Sequence, residues 1–210
     1  MPFKYACFIS YRRGAEDMAK EMIADLHDAL AGEIELAFGT NAVFRDETRL
    51  HGGDFLNDAL ARALCQSVCM ILVFTRAYFD QNRTYCAREY KAMEKLEQER
   101  LQLLPPEKRL HGLIIPIVFR GINYLPQELK QRLCLNFDRY LGSDGPMRRH
   151  PYYASEIRKV VEYMENLYTA FANLAIDPCE QCEHFSFPTE EEIRPWLENI
   201  SHETIPFPLR

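Results

Sequence analysis

Ser67–Phe74 (SVCMILVF) is a continuous uncharged run of eight residues. It is far shorter than the ~20 residues of a membrane helix. A short apolar run of this kind reads as a strand buried on both faces, as in the middle of a parallel sheet. Parallel neighbours need crossover connections, and the flanking sequence supplies them. Tyr5–Ser10 (YACFIS) reads as a first strand. Ala15 to about Phe38 then keeps helical spacing through Met18, Met22, Leu26, Leu30 and Ile34. Ile34–Phe38 is open between helix end and short strand, and Gly39 is a natural stop. Ala42–Phe44 is a short strand, and Asp54–Gln66 a helix with Phe55, Ala59, Leu60 and Ala63 inward. Thr84–Leu104 is a charged amphipathic helix closed by Pro105-Pro106. Leu113–Phe119 is a second buried strand, whose Pro116 places it near an edge or a bulge. Leu135–Phe137 is a last short strand and Ser155–Phe171 a closing helix. This alternation predicts an α/β fold with right-handed crossovers and helices on both faces of a parallel sheet.

The 210 residues suffice for one domain and an appendage. Composition shifts near Asn173, which divides the chain into a domain over 1–172 and an extension over 173–210, packed on the domain or docking a partner. Within the extension, Thr189 and Glu192 form a capping box, and Pro195 is expected to kink or shorten the helix that follows. A net charge of -6 offers no electrostatic footprint for nucleic acid or an anionic membrane. The N-terminus does not read as a signal peptide. The seven cysteines are odd in number, and Cys7, Cys65, Cys69 and Cys134 lie in apolar or amphipathic segments, which points to a reducing, cytoplasmic setting. Cys179-x-x-Cys182-x-His184 has the spacing of half a zinc site. Without a convincing fourth ligand it reads as reduced surface thiols and no metal.

Tyr85-Cys86-Ala87-Arg88-Glu89 opens a helix just after the Ser67–Phe74 strand. Tyr85 and Glu89 are four residues apart and share one helix face. Ligands of open α/β sheets bind at the C-terminal ends of the strands. A ring and a carboxylate there suit a flat heterocycle and a ribose. Tyr11 and Arg12 follow the first strand, and Arg12 suits a pyrophosphate. Arg45 and Asp46 open a loop containing Gly52-Gly53, where they orient a substrate or pair with each other. Phe44 and Tyr78 are either walls for a base or core residues, and Cys86 is an inward-packing neighbour.

Three stretches then stand in a familiar order: Tyr5-Ala6-Cys7-Phe8-Ile9-Ser10-Tyr11-Arg12; Val43-Phe44-Arg45-Asp46-Glu47 with Leu50, Gly52-Gly53 and Phe55; and Tyr78 with Tyr85-Cys86-x-x-Glu89. Over roughly Lys4–Phe171 the chain resembles a Toll/interleukin-1 receptor (TIR) domain, with Tyr85 where that family usually has Trp. The resemblance implies a flavodoxin-like three-layer domain whose five-stranded parallel sheet has the order 2-1-3-4-5. It implies cleavage of NAD+ at the nicotinamide–ribose bond with Glu89 as the catalytic residue. Tyr11, Arg12, Phe44, Arg45, Asp46, Tyr78, Tyr85 and Cys86 are then the substrate-binding candidates. NAD+ is a consumed substrate, not a cofactor, since G-x-G-x-x-G is missing. The chain looks similar to short bacterial enzymes of antiphage defence, such as the Thoeris type, which make an NAD-derived messenger for a separate effector. Such domains also self-assemble through the second-box loop. The alternative within the family is a non-catalytic adaptor acting through TIR–TIR assembly.

Overall fold

The computed structural model describes residues 3–13, 17–40, 42–45, 56–109, 112–141 and 146–203. Asp46, Gly52-Gly53 and the rest of the second-box loop lie outside the described residues. Five strands, β1 (Tyr5–Tyr11), β2 (Val43–Phe44), β3 (Ser67–Phe74), β4 (Ile114–Val118) and β5 (Leu135–Asn136), form one sheet in the order β2-β1-β3-β4-β5. Every neighbouring pair is parallel. β3 is buried along its whole length, as a strand covered on both faces must be. Pro116 pairs with Leu72 on β3, one residue before β5 begins to pair at Ile117. Its missing N–H is therefore tolerated beside a very short edge strand.

The helices are α1 (Asp17–Phe38), α2 (Leu56–Cys65), α3 (Tyr85–Leu103), α4 (Gln127–Lys130), α5 (Tyr153–Ala172) and α6 (Glu190–Glu203). α1 carries through Ile34–Phe38, so the short-strand option for that segment is closed. Gly39, with φ +70°, ends the helix and donates its N–H to Glu35 at 2.9 Å. Phe38 meets Tyr168 of α5 edge-on at 5.5 Å. Leu104, held extended before Pro105, ends α3.

α3 is the keel of the domain. Its buried face includes Glu89, Glu97 and Arg100 among apolar residues. Glu97 accepts hydrogen bonds from the N–H groups of Leu113 and Ile114, where β4 begins, and from both terminal nitrogens of Arg132. Arg100 donates to the carbonyls of Ser67, where β3 begins, and Cys65. The C-terminal half of α3 therefore lies at the N-terminal ends of the strands. Its first turns lie at the opposite end of the sheet, beside the end of β1.

The extension is tied down twice. The thiol expectation fails at Cys65 and Cys182, which form a disulfide across 117 residues of sequence with Cα atoms 5.4 Å apart. α2 ends where the chain returns past Cys182, so the pair falls within bridging distance. This withdraws the cysteine argument for a reducing compartment. Beyond it, the capping box forms in both directions, Thr189 N–H to Glu192 Oε2 at 2.7 Å and Glu192 N–H to Thr189 Oγ1 at 3.3 Å. α6 also runs past Pro195, which was expected to kink or shorten it. Packing of Ile193 and Leu197 on Ala87, and of Trp196 flat against Tyr90 at 5.5 Å, compensates the single lost backbone bond. Closing so long a loop constrains the unfolded chain, so Cys65→Ser is expected to cost about 2–4 kcal/mol. Calorimetry of the variant against the unreduced wild type reads this directly; an unchanged midpoint would show the bond contributes nothing.

Candidate active site

β1 and β3 are neighbours, yet their connections leave on opposite sides of the sheet, since β2 lies beyond β1 and β4 beyond β3. This is the switch point at which open α/β sheets form their ligand crevice. Three side chains meet there. Ser10, one residue from the end of β1, donates its hydroxyl proton to Glu89 Oε2 at 2.5 Å. The Tyr78 hydroxyl lies 2.6 Å from Ser10 Oγ. Ser10 has one proton and has given it to Glu89, so Tyr78 is the donor in that second contact. Tyr78 is fully enclosed in the turn after β3. Burial first, then the nearby Cys86 and Glu89, push its phenol well above the ordinary tyrosine range. Its proton is therefore held, and the chain runs Tyr78 to Ser10 to Glu89, ending on a carboxylate.

Glu89 is only 7% exposed. A surface carboxylate on a charged helix would pair with Arg88 or Lys91. Here Arg88 donates to the Pro188 carbonyl at 2.7 Å and Lys91 pairs with Glu94 at 2.8 Å. Both cations belong to the side of α3 facing the extension, where Thr84 also donates to Glu190 at 2.7 Å. Trp196 closes that side, donating its indole N–H to Glu128 at 2.8 Å. The extension thus covers the back of α3 and leaves Glu89 facing the sheet end.

The other candidates fall into distinct places. Tyr11, half-buried, ends β1 beside Ser10. Arg12 is bound to Asp80 at 2.9 Å, and its Nε, buried, has no hydrogen-bond partner. It therefore reaches the switch point already neutralised by a carboxylate. Phe44 is core: it stacks on Phe8 at 5.2 Å and meets Tyr5 edge-on at 5.1 Å. Tyr78 brings its hydroxyl to the site, and its ring packs on Phe74 and Phe79. Tyr85 is 46% exposed at the start of α3, with the Arg88 guanidinium 5.7 Å from its ring. Cys86 is buried and Arg45 half-buried; Asp46 lies outside the described residues. Sequence reasoning left out Ser10 and Asp80. Ser10 was visible as the end of the first motif, but a contact spanning 79 positions leaves no local signal.

Among the described residues no group of three or more His, Cys, Asp or Glu is placed to hold a metal ion. Cys182 of the half-site motif is bonded to Cys65, and the Arg100 guanidinium stands 3.9 Å from both Cys179 and Cys182. A fixed cation there opposes a second one. Among the described residues, cavities of about 540, 810 and 340 Å3 lie elsewhere, away from Ser10, Tyr78 and Glu89. Among the described residues no helix is long and apolar enough to cross a membrane.

A family model described as TIR domain matches residues 7–148. A search of curated proteins finds no match. Among solved structures, the chain is similar to a metazoan TIR-STING receptor from C. gigas in complex with 2',3'-cGAMP. Identity there is 17% and the TM-score 0.46, over 77% of this chain and 40% of that one. It is also similar to the TIR domains of the activated Roq1 resistosome recognizing the pathogen effector XopQ, at 16% identity and a TM-score of 0.38, over 92% and 98% of the two chains. The chain thus spans about 40% of the length of the first of these.

Proposed function

Because the chain belongs to the TIR-domain family, we propose that it cleaves NAD+ at the nicotinamide–ribose bond, with Glu89 as the catalytic residue. The observation that carries the reading is a buried carboxylate at the β1/β3 switch point, held there by Ser10 and Tyr78.

Breaking this bond develops oxocarbenium character on the sugar carbon, as in glycoside hydrolysis. Nicotinamide already leaves from a cationic state, so no acid is needed to protonate it. What the site must supply is orientation of the ribose and negative charge beside the developing cation. Glu89 supplies both: a carboxylate accepts hydroxyl hydrogen bonds, and in a shielded site its field is stronger than in water. Ser10 fixes one carboxylate oxygen. Tyr78 fixes Ser10. The ribose carbon is then attacked by water or by a nucleophile of the nucleotide itself, which gives an ADP-ribose-type product. In this reading the product is a messenger for a separate effector in bacterial antiphage immunity, and assembly proceeds through the second-box loop.

The test is direct. The full chain is incubated with NAD+ under crowded conditions that favour assembly, and free nicotinamide is measured beside Glu89→Ala. Release by the wild type alone supports the reading; equal release by both removes it. In a working enzyme, Ser10→Ala is expected to lower kcat about tenfold with little change in KM, since it loosens a transition-state group and touches no ground-state contact. A change in KM alone would assign Ser10 to substrate binding instead.

A further inference from the structure

The disulfide has a third sulfur beside it. Arg100 Nη2 lies 3.7 Å from Cys65 Sγ, 3.9 Å from Cys179 Sγ and 3.9 Å from Cys182 Sγ. Cys179 Sγ also lies 3.7 Å from the Cys65 carbonyl oxygen. The free thiol and both bonded sulfurs therefore surround one guanidinium nitrogen. Arg100 itself is 2% exposed. Its partners are the carbonyls of Ser67, Cys65 and Pro178 and these sulfurs, and its Nε has no hydrogen-bond partner. No carboxylate lies within ion-pair distance of it among the described residues. A buried cation in contact with three sulfurs pulls a neighbouring thiol toward its thiolate, although burial outweighs that pull at Cys179. Of this cluster, Cys65 and Arg100 line the cavity of about 810 Å3, next to Asp177, Gln181 and His184, and Cys179 is half-buried.

We propose that Cys65, Cys179 and Cys182 form a thiol–disulfide exchange site in which Cys179 displaces Cys65 from Cys182, with Arg100 as the stabilising cation. Cys179 loses its proton and its thiolate attacks Cys182 Sγ. The Cys179–Cys182 bond forms, the Cys65–Cys182 bond breaks, and its electron pair leaves on Cys65, which takes up a proton. Two thiol electrons enter and two leave, so no oxidant or reductant is consumed. Wherever the negative charge sits during the step, on Cys179 or on Cys65, it stays in contact with Arg100. Burial pushes the Cys179 thiol up to about 11, against the pull of Arg100; the low thiolate fraction is offset by the high effective concentration of a tethered nucleophile. The outcome is a choice of two bonds. One ties the extension to α2; the other closes within the extension and releases α2. This is independent of the reaction at Glu89.

The full chain, purified without reductant, is equilibrated with glutathione, quenched in acid, alkylated and mapped by peptide mass spectrometry. Both Cys65–Cys182 and Cys179–Cys182 are expected, in a ratio that becomes constant with time. Cys179→Ser is expected to show Cys65–Cys182 alone and, in glutathione, to release Cys65 as a free thiol about tenfold more slowly. The proposal is overturned if Cys179 is alkylated in every molecule that retains a disulfide. It is equally overturned if Cys179→Ser releases Cys65 at the wild-type rate, or if all three cysteines are found as thiols from the outset.

Discussion

Glu89→Gln is expected to lower nicotinamide release from NAD+ by about 10²–10³-fold while leaving the fold in place. The amide keeps the size of the side chain and still accepts the Ser10 hydroxyl through its carbonyl oxygen, so the relay from Tyr78 stays intact. What disappears is the charge, the one property an oxocarbenium-like state needs. The thermal midpoint should stay within about 4 °C of wild type, since only the difference between a charged and a neutral hydrogen bond is lost. Glu89→Ala removes charge and hydrogen bond together, and should be at least as slow. Measured side by side, the two variants separate electrostatics from packing. A glutamine variant that turns over like wild type would take Glu89 out of the chemistry, whatever its position.

The second large effect concerns stability. Glu97 has a side chain only 8% exposed, and Arg132 grips both of its oxygens, through Nη1 at 2.8 Å and Nη2 at 2.5 Å. Burial alone would pull the Arg132 guanidinium down; hydrogen bonds to Glu97 and its charge reverse this and hold it above its usual range. Arg132→Ala leaves an enclosed carboxylate with two backbone N–H groups and no counter-charge. The expected cost is about 3–5 kcal/mol, or roughly 10 °C of thermal midpoint for a chain of this size. Arg132→Met with Glu97→Gln should recover much of that, because the isolated charge is gone. A single Arg132→Ala costing under about 1 kcal/mol would mean that water reaches Glu97 freely. Gly112 belongs to the same knot: a Cβ there would collide with Glu97 Oε1 and fall 2.6 Å from Arg132 Nη1.

Much of this architecture was legible from the chain itself, for a physical reason. β3 is buried on both faces, so its sequence is apolar without interruption, and its limits are those read from the sequence. The sheet order followed from the family likeness, and Glu89 from the Tyr-Cys-x-x-Glu stretch within it. The features that escaped are those whose partners are far apart in sequence. Ser10 was seen as the end of a motif, and its bond to Glu89 needed the fold. Glu97 and Arg100 looked like ordinary charges on an amphipathic helix, and only the helix packing turns them inward. Phe44 could be wall or core by type, and its stacking on Phe8 decides for core. The Cys65–Cys182 bond was invisible because an odd cysteine count and apolar surroundings describe free thiols equally well. Pro195 does not shorten the helix: the local rule took no account of Ile193 and Leu197 anchoring it on either side of that residue.

The bond between Cys65 and Cys182 makes a loop of everything between them, including β3, α3 and β4. A protease nick inside that loop would leave two fragments that co-migrate in denaturing gels until a reductant is added. Damage there would stay hidden from a size separation run under oxidising conditions, and would show only as the mass of one added water; a nicked molecule would keep its parts at hand for reassembly.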